Sequence, residues 1–301
     1  MISDTTATTD TSGLDRRSLL GRVSAGSVSA AAFAALAAGG LAATGTPALA
    51  QGITDADVFN FALNSEYLES EYYLRGVTGA GLPDADTTGT GLRGDVRGGR
   101  AVPFRSDYLR QYFARIAVDE LAHVRFLRAL LGNVAIARPA IDFTTAFTEV
   151  AVAAGLIRPG QTFDPFADET SFLLGSYSLA DTGVTAYAGA APLLTQPANK
   201  SYGASILAVE AYHAGAARTL LGNAGGGAAS NAISALRARL SGRPDDVGIL
   251  VPGNSFNFVP TDDQSQVFRR TPRQILNIVY GAPNATSGGF FPNGVNGSIR
   301  S

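Results

Sequence analysis

The chain has 301 residues, of which 46% are hydrophobic, so it can bury a sizeable core and is not disordered throughout. A formal net charge of −2, with Lys200 as the single lysine, argues against a nucleic-acid partner, which requires a basic face. The chain has no cysteine, which excludes disulfides, thiolate metal sites and a catalytic cysteine. Any bound metal must therefore be held by oxygen and nitrogen atoms.

Residues 1–50 have the pattern of an export signal. The paired Arg16 and Arg17 precede a weakly apolar stretch rich in Ala and Gly, and a small-x-small cleavage site ends at Ala50. We predict a cleaved twin-arginine signal and a periplasmic or extracellular mature protein without a membrane span. A membrane anchor is the alternative, but the Ala, Gly and Ser content makes this stretch a poor one.

The first half of the mature chain predicts two long helices separated by a loop. Thr54 is an N-cap candidate for a helix over 54–76, and Gly132 is a stop signal for a second helix over 106–131. The intervening residues 79–105 are rich in glycine and predict a surface loop.

A connection of about 36 residues follows the second helix, which is long enough to cross a bundle from end to end. It contains one short helical candidate, "FTTAFTEVAVAAG". The stretches "DETSFLLGSYSLADTGVTAYAGAAPLL" and "NKSYGASILAVEAYHAGAARTLLG" predict a third and a fourth helix, antiparallel because the turn between them is short. We assign residues 51–225 to this bundle and 226–301 to a C-terminal extension packed on it, with an extra helix at "AASNAISALRARL".

Both histidines of the chain lie three residues after a glutamate, in the pairs Glu120–His123 and Glu210–His213. Residues three apart share a helix face, so each pair can bind one metal ion, with the carboxylate free to bridge to a second. Apolar residues flank both pairs at helical spacing, which predicts that they point into the core. A carboxylate buried there needs a compensating partner, and a divalent cation is the natural candidate.

The first and third helices supply further acids. Glu66 lies on the apolar face of the first helix, with Glu69 one turn along as a supporting or substitute ligand, whereas Glu71 points elsewhere and is expected to be solvated. Asp181 is the acid in the middle of the third helix and is the candidate ligand there. Its alternative role is a local hydrogen bond to Ser178 or Thr185 within the helix.

The order Glu, ExxH, acid and ExxH on four helices resembles the ferritin-like di-metal carboxylate bundle. More narrowly, "SEYLESEYYLRG", "AVEAYHAGAAR" and "GGFFPNG" resemble exported ferritin-like proteins grouped with plant desiccation-related proteins, over about residues 53–297. The third helix departs from that pattern, with "SLADTG" where a glutamate is usual. The resemblance implies an all-α, ferritin-like four-helix bundle with a long crossover between the second and third helices, Gly-rich loops, and the metal ligands Glu66, Glu120, His123, Glu210 and His213.

Two divalent ions held by these oxygen and nitrogen ligands are expected to be iron or manganese, with zinc as an alternative. Such a site suits redox handling of iron, peroxide or dioxygen in stress protection, with Tyr73 near enough to donate a hydrogen bond or an electron. The alternative is a non-catalytic, desiccation-protective or envelope structural protein with a degenerate or structural metal site. Extra residues in the loop and tail argue against a storage cage, so we expect a monomer or small homo-oligomer.

Overall fold

A computed structural model describes residues 52–253 and 255–301, and the predicted export signal at 1–50 lies outside them. The described residues are mostly helical, which confirms the predicted all-α class. Their α-helices, in chain order, are α1 (Asp55–Thr78), α2 (Asp107–Leu131), α3 (Phe143–Ala153), α4 (Glu169–Ala190), α5 (Pro197–Asn223), α6 (Gly227–Ser241) and α7 (Pro272–Tyr280). None of these described helices is long and apolar enough to cross a membrane.

Local capping signals set the ends of the long helices. The Thr54 hydroxyl accepts a hydrogen bond from the Asp57 backbone N–H, and the Asp57 carboxylate accepts one from the Thr54 backbone N–H, so α1 begins with a capping box. The helix ends at Gly79, which has a φ of 81°, a left-handed conformation that glycine adopts without steric cost. Ser106 caps α2 by accepting from the Leu109 N–H.

The bundle consists of two helix pairs, α1 with α2 and α4 with α5, which make the most extensive contacts between elements. The long crossover between α2 and α4 carries α3. It also contributes β2 (Ile141–Asp142), which pairs in parallel with β1 (Val96–Arg97) from the Gly-rich loop. This loop is thereby fastened to the crossover, and both cover one side of the bundle.

The C-terminal residues cover α4, which is buried along most of its length. Both α6 and α7 pack against α4, and a short antiparallel hairpin, β3 (Leu250–Val251) with β4 (Ser255–Phe256), follows α6. Because another layer covers its outer side, α4 has no wide polar face, unlike an ordinary surface helix. Polar side chains that leave α4 on this outer side therefore enter a second buried environment, away from the bundle centre.

Candidate metal centre

Three helices bring a buried cluster of carboxylates and imidazoles to the bundle centre. Glu66 comes from α1, Glu120 and His123 from α2, and Glu210 from α5. Each offers one ligand atom, and these four atoms lie within 4.8 Å of one another. The three-residue spacing of Glu120 and His123 places both on the inner face of α2, as the helical repeat requires.

Glu120 occupies the middle of this cluster. Its Oε1 lies 3.0 Å from His213 Nδ1, and its Oε2 lies 3.7 Å from His123 Nδ1. The two imidazole rings are 6.4 Å apart between centroids, so they stand on opposite sides of one carboxylate. A carboxylate with one oxygen directed to each imidazole is well placed to bridge two metal ions.

Two further carboxylates surround His123. Its Nδ1 lies 3.2 Å from Glu66 Oε2 and 3.3 Å from Glu210 Oε1. The other oxygen of Glu66 accepts a short hydrogen bond from the Tyr187 hydroxyl, which reaches it from α4. Sequence reasoning missed Tyr187, because the only signal was its position on α4, one turn beyond Gly183.

The second histidine is oriented by a residue that sequence reasoning also missed. His213 Nε2 lies 3.3 Å from Asp119 Oδ2, and Asp119 is in turn paired with Arg115 one helical turn earlier. A carboxylate on the outer nitrogen of a ligating histidine fixes the ring orientation and raises its basicity. The signal for Asp119 was the acidic pair "DE" at 119–120.

Glu69 lies beside the cluster, opposite a bare section of α4. A Cβ placed at Gly183 would lie 2.8 Å from Glu69 Oε1 and 3.1 Å from Glu210 Oε2. The missing side chain at Gly183 therefore makes room for two carboxylates. Glu69, one turn from Glu66 on α1, occupies the volume in which an acid from the third bundle helix was expected.

Asp181 does not join the cluster, so its expected role as a metal ligand needs correction. Its Oδ2 accepts hydrogen bonds from Arg218 Nη1 at 2.7 Å and from Arg237 Nη2 at 2.8 Å. Both guanidinium groups are buried on the outer side of α4, where α5 and α6 meet the C-terminal residues. Nor is Asp181 confined to local bonds with Ser178 or Thr185. It forms long-range ion pairs instead.

Two other side chains on α1 lie in places that the sequence did not indicate. The Tyr73 hydroxyl is 2.8 Å from Ser176 Oγ, so its hydrogen bond is made to α4 and not to a cluster carboxylate. Glu71, expected to be solvated, is fully buried and pairs with Arg75 and Arg138. Arg138 belongs to the crossover, which explains why the α1 sequence alone did not reveal this contact.

Without a metal, burial and mutual repulsion raise the pKa of most carboxylates in the cluster, so these groups tend to be protonated. Burial raises the pKa of Glu66 to about 8, although His123 opposes the shift. Burial, reinforced by the neighbouring carboxylates, also raises the pKa of Glu210 and places that of Glu69 well above its usual range. Several carboxylates in a small desolvated volume cannot all be ionised without compensating positive charge.

The histidines supply part of that charge. Burial alone would raise the pKa of Glu120, but the neighbouring imidazoles of His123 and His213 outweigh it and bring the value to about 2. Desolvation alone would lower the pKa of His213, but Glu120 more than compensates and raises it to about 9. The pKa of His123 is likewise raised, chiefly by Glu66. Without a metal, both imidazoles therefore carry protons at neutral pH.

The donor set fits a pair of divalent cations. Four buried carboxylate oxygens of the cluster have no hydrogen-bond partner among the described residues: Glu69 Oε2, Glu120 Oε2, Glu210 Oε1 and Glu210 Oε2. An unpartnered buried charged atom is costly, and a cation removes that cost. When both histidines are neutral, the four negative charges of the ionised carboxylates are balanced by the four positive charges of two divalent ions.

Metal binding to this cluster is expected to release at least three protons per chain at pH 7. At that pH Glu66, with a pKa of about 8, and His213, with a pKa of about 9, are mostly protonated, and so is His123, whose pKa is also raised, so metal ions must displace all three protons. Lowering the pH from 7 to 6 should weaken apparent affinity by about 1,000-fold or more, tenfold per displaced proton. Titration calorimetry in two buffers of different ionisation enthalpy measures this release. Equal binding enthalpies in both buffers would contradict it.

Comparison with known proteins agrees with this architecture. The model of the family described as "Ferritin-like domain" matches residues 54–223, more than half of the chain. The protein named ferritin-like catalase Nec2, from Nesocodon mauritianus, is 29% identical over 269 residues, covering 81% of this chain and 84% of that protein. Desiccation-related protein PCC13-62, from Craterostigma plantagineum, is 28% identical over 248 residues, covering 74% and 76%. The chain therefore belongs to the ferritin-like domain family.

Proposed function

We propose that this protein binds two redox-active divalent ions, iron or manganese, at the cluster and uses them to disproportionate hydrogen peroxide. The observation that carries the proposal is the meeting of four buried carboxylates and two histidines around unpartnered oxygen atoms. A relative named ferritin-like catalase supports the choice of reaction. Twin-arginine export would place this activity outside the cytoplasm.

The reaction needs storage for electrons and for protons. One hydrogen peroxide molecule loses two electrons and two protons to give dioxygen, and a second takes up both to give two water molecules. A bound pair of iron or manganese ions supplies the electron storage, because these metals change oxidation state while keeping oxygen and nitrogen ligands. The protons must be held by side chains of the chain or exchanged with solvent.

Glu69 is the side chain best placed to hold one of these protons. Its buried Oε2 has no hydrogen-bond partner in the described part of the chain, and its pKa is raised well above the usual range by burial and by Glu210, Glu120 and Glu66. When two cations are bound and Glu69 is ionised, its carboxylate can take up a proton at Oε2 as peroxide is oxidised and return it as peroxide is reduced. The second proton exchanges with solvent.

The tyrosines near the cluster act as neutral hydrogen-bonding groups in this proposal. Burial holds the pKa of Tyr187 well above its usual range, and the adjacent Glu66 raises it further, so the hydroxyl keeps its proton. It donates to Glu66 Oε1 and so restricts that carboxylate to one orientation. We assign this orienting role to Tyr187, since the hydroxyl of Tyr73 is engaged with Ser176.

The test is oxygen evolution from protein loaded separately with manganese, iron or zinc, after excess metal has been removed and metal content measured by elemental mass spectrometry. The manganese or iron form is expected to release one dioxygen for every two peroxide molecules consumed. The zinc form should be inactive because zinc does not change oxidation state. If protein holding about two manganese or iron ions per chain evolves no oxygen, the catalase proposal fails. That result would favour the protective role suggested by the desiccation-related relative.

A further inference from the structure

A small cavity reaches Glu69 from the side away from the histidines. It has a volume of about 30 Å³, and Glu69 and Gly183 lie in its wall together with the polar side chains of Ser178 and Thr182. One water molecule needs about 10–15 Å³ of such space. The cavity therefore has room for about two water-sized groups, which is the size of one hydrogen peroxide molecule. The end of the cavity at Glu69 and Gly183 therefore offers polar groups to a small molecule.

A second cavity lies on the outer side of the first. Its volume is about 400 Å³, and it lies between α3, α6, α7 and residues 281–290. The two cavities share six wall residues, all apolar: Val150, Leu236, Leu240, Ile278, Val279 and Phe290. These six side chains form a shared apolar wall, the constriction, and their rearrangement would join the two cavities.

We propose that these two cavities form the access passage by which hydrogen peroxide reaches the metal centre, an inference that rests on the proposed function. The apolar constriction selects for small uncharged molecules, because a charged species would lose its hydration there without a compensating partner. The polar inner end then receives the peroxide at Glu69, beside Glu210. Bulkier organic peroxides are excluded by the side chains of the constriction.

This choice of route also explains why α4 carries glycine at 183. A side chain there would fill the point at which the inner cavity meets Glu69 and Glu210, since even a Cβ lies 2.8 Å from Glu69 Oε1. The bare backbone keeps the cavity in contact with both carboxylates. Entry from the α5 side would instead have to pass His213, whose outer nitrogen is covered by Asp119.

The passage is tested by widening and by narrowing its constriction. Leu236→Ala removes a buried wall side chain, and Leu221→Ala is the matched control, a buried leucine that lies in neither cavity wall. Leu240→Ala, at a half-buried position, is a second widening variant in case Leu236→Ala does not fold. Val150→Phe narrows the constriction, and Val118→Phe, on the exposed side of α2, is its control.

The organic substrate is tert-butyl hydroperoxide, which the centre can only reduce to tert-butanol and water, with hydrogen peroxide as the reductant that is oxidised to dioxygen. At equal metal content, Leu236→Ala is expected to raise the ratio of kcat/KM for this reduction to kcat/KM for hydrogen peroxide alone by about tenfold or more. Val150→Phe should lower kcat/KM for hydrogen peroxide by about tenfold, and both controls should match the unchanged protein. An unchanged ratio in both widening variants, with both peroxides turned over, would overturn the proposal.

A second readout does not depend on activity. Crystals pressurised with krypton or xenon should show gas atoms in both cavities of the unchanged protein, and none in the inner cavity of Val150→Phe. No gas in the inner cavity of the unchanged protein would overturn the passage. Gas in both cavities of a metal-loaded protein that turns over neither peroxide would support the passage and reject the catalase function, so the two proposals fail separately.

Discussion

Replacing Glu120 and Glu210 together by glutamine is expected to reduce metal content from about two ions per chain to nearly none. The double variant removes the carboxylate that contacts both histidines and one of the two others that contact His123. A neutral amide is a weak ligand for a divalent ion and cannot neutralise its charge. Elemental mass spectrometry of protein purified without chelators measures the change.

Glutamine is chosen because it keeps the shape of the side chain, so that loss of metal is not confused with loss of the fold. Glu149→Gln, at an exposed position on α3, removes one carboxylate charge away from the cluster and should keep full metal content. Circular dichroism compares the helix content of the three proteins. Two ions per chain in a folded double variant would contradict the proposed centre.

The second large effect concerns stability. Arg218→Met is expected to lower the free energy of unfolding by about 3–5 kcal/mol, because it breaks a buried ion pair and leaves acceptors unpaired. Arg218 is fully buried and donates to the Asp181 carboxylate and to the backbone carbonyls of Val247, Gly248 and Asn257. Chemical unfolding of the metal-free proteins measures the loss.

Two further variants serve as the control for Arg218→Met and as a test of its ion-pair partner. Arg239→Met, at an exposed position on α6 where the side chain donates to the Ala153 carbonyl, should cost no more than about 1 kcal/mol. Asp181→Asn should lower stability while metal content per folded chain stays unchanged, since Asp181 faces Arg218 and Arg237. If Asp181→Asn loses metal while its stability is unchanged, Asp181 is a metal ligand after all, and its assignment to the arginine network is wrong.

These ion pairs extend beyond Asp181 and connect α4 to the C-terminal residues. Arg237 also pairs with Asp246, and Arg270 pairs with Asp245 and Asp246. Three buried guanidinium groups thus meet three carboxylates with buried side chains between α4 and the outer layer. A buried pair of this kind adds little net stability but is costly to break, so the network holds the layer in one arrangement.

The sequence alone was sufficient where the physics is local. The capping residue Thr54 predicted the start of α1, because a cap satisfies backbone groups within the same few residues. The three-residue spacing of Glu120 and His123 placed both on one helix face for the same reason. Their apolar neighbours on that face correctly indicated burial.

Residues whose partners are distant in the chain could not be placed in this way. Glu66 meets the hydroxyl of Tyr187, 121 residues away, and Glu71 meets Arg138, 67 residues away. Helical periodicity gives the direction of a side chain relative to its own helix, but not what packs on that side. Gly183 likewise has no side chain that could bind a metal, and only the packing of α1 against α4 revealed that Glu69 fills the space beside it.

The sequence by itself therefore determined the helical class, the long crossover and the two Glu–His pairs, because hydrophobic period, capping and residue spacing act within single helices. Only the tertiary structure decided that Asp181 belongs to an arginine network and that Glu69 and Tyr187 lie at the cluster. That decision depended on the outer layer, whose Arg237 and Asp246 give α4 a second buried face. The partner of an acid on α4 therefore depends on the side of the helix from which it projects, and Asp181 projects toward the buried arginines of the outer layer.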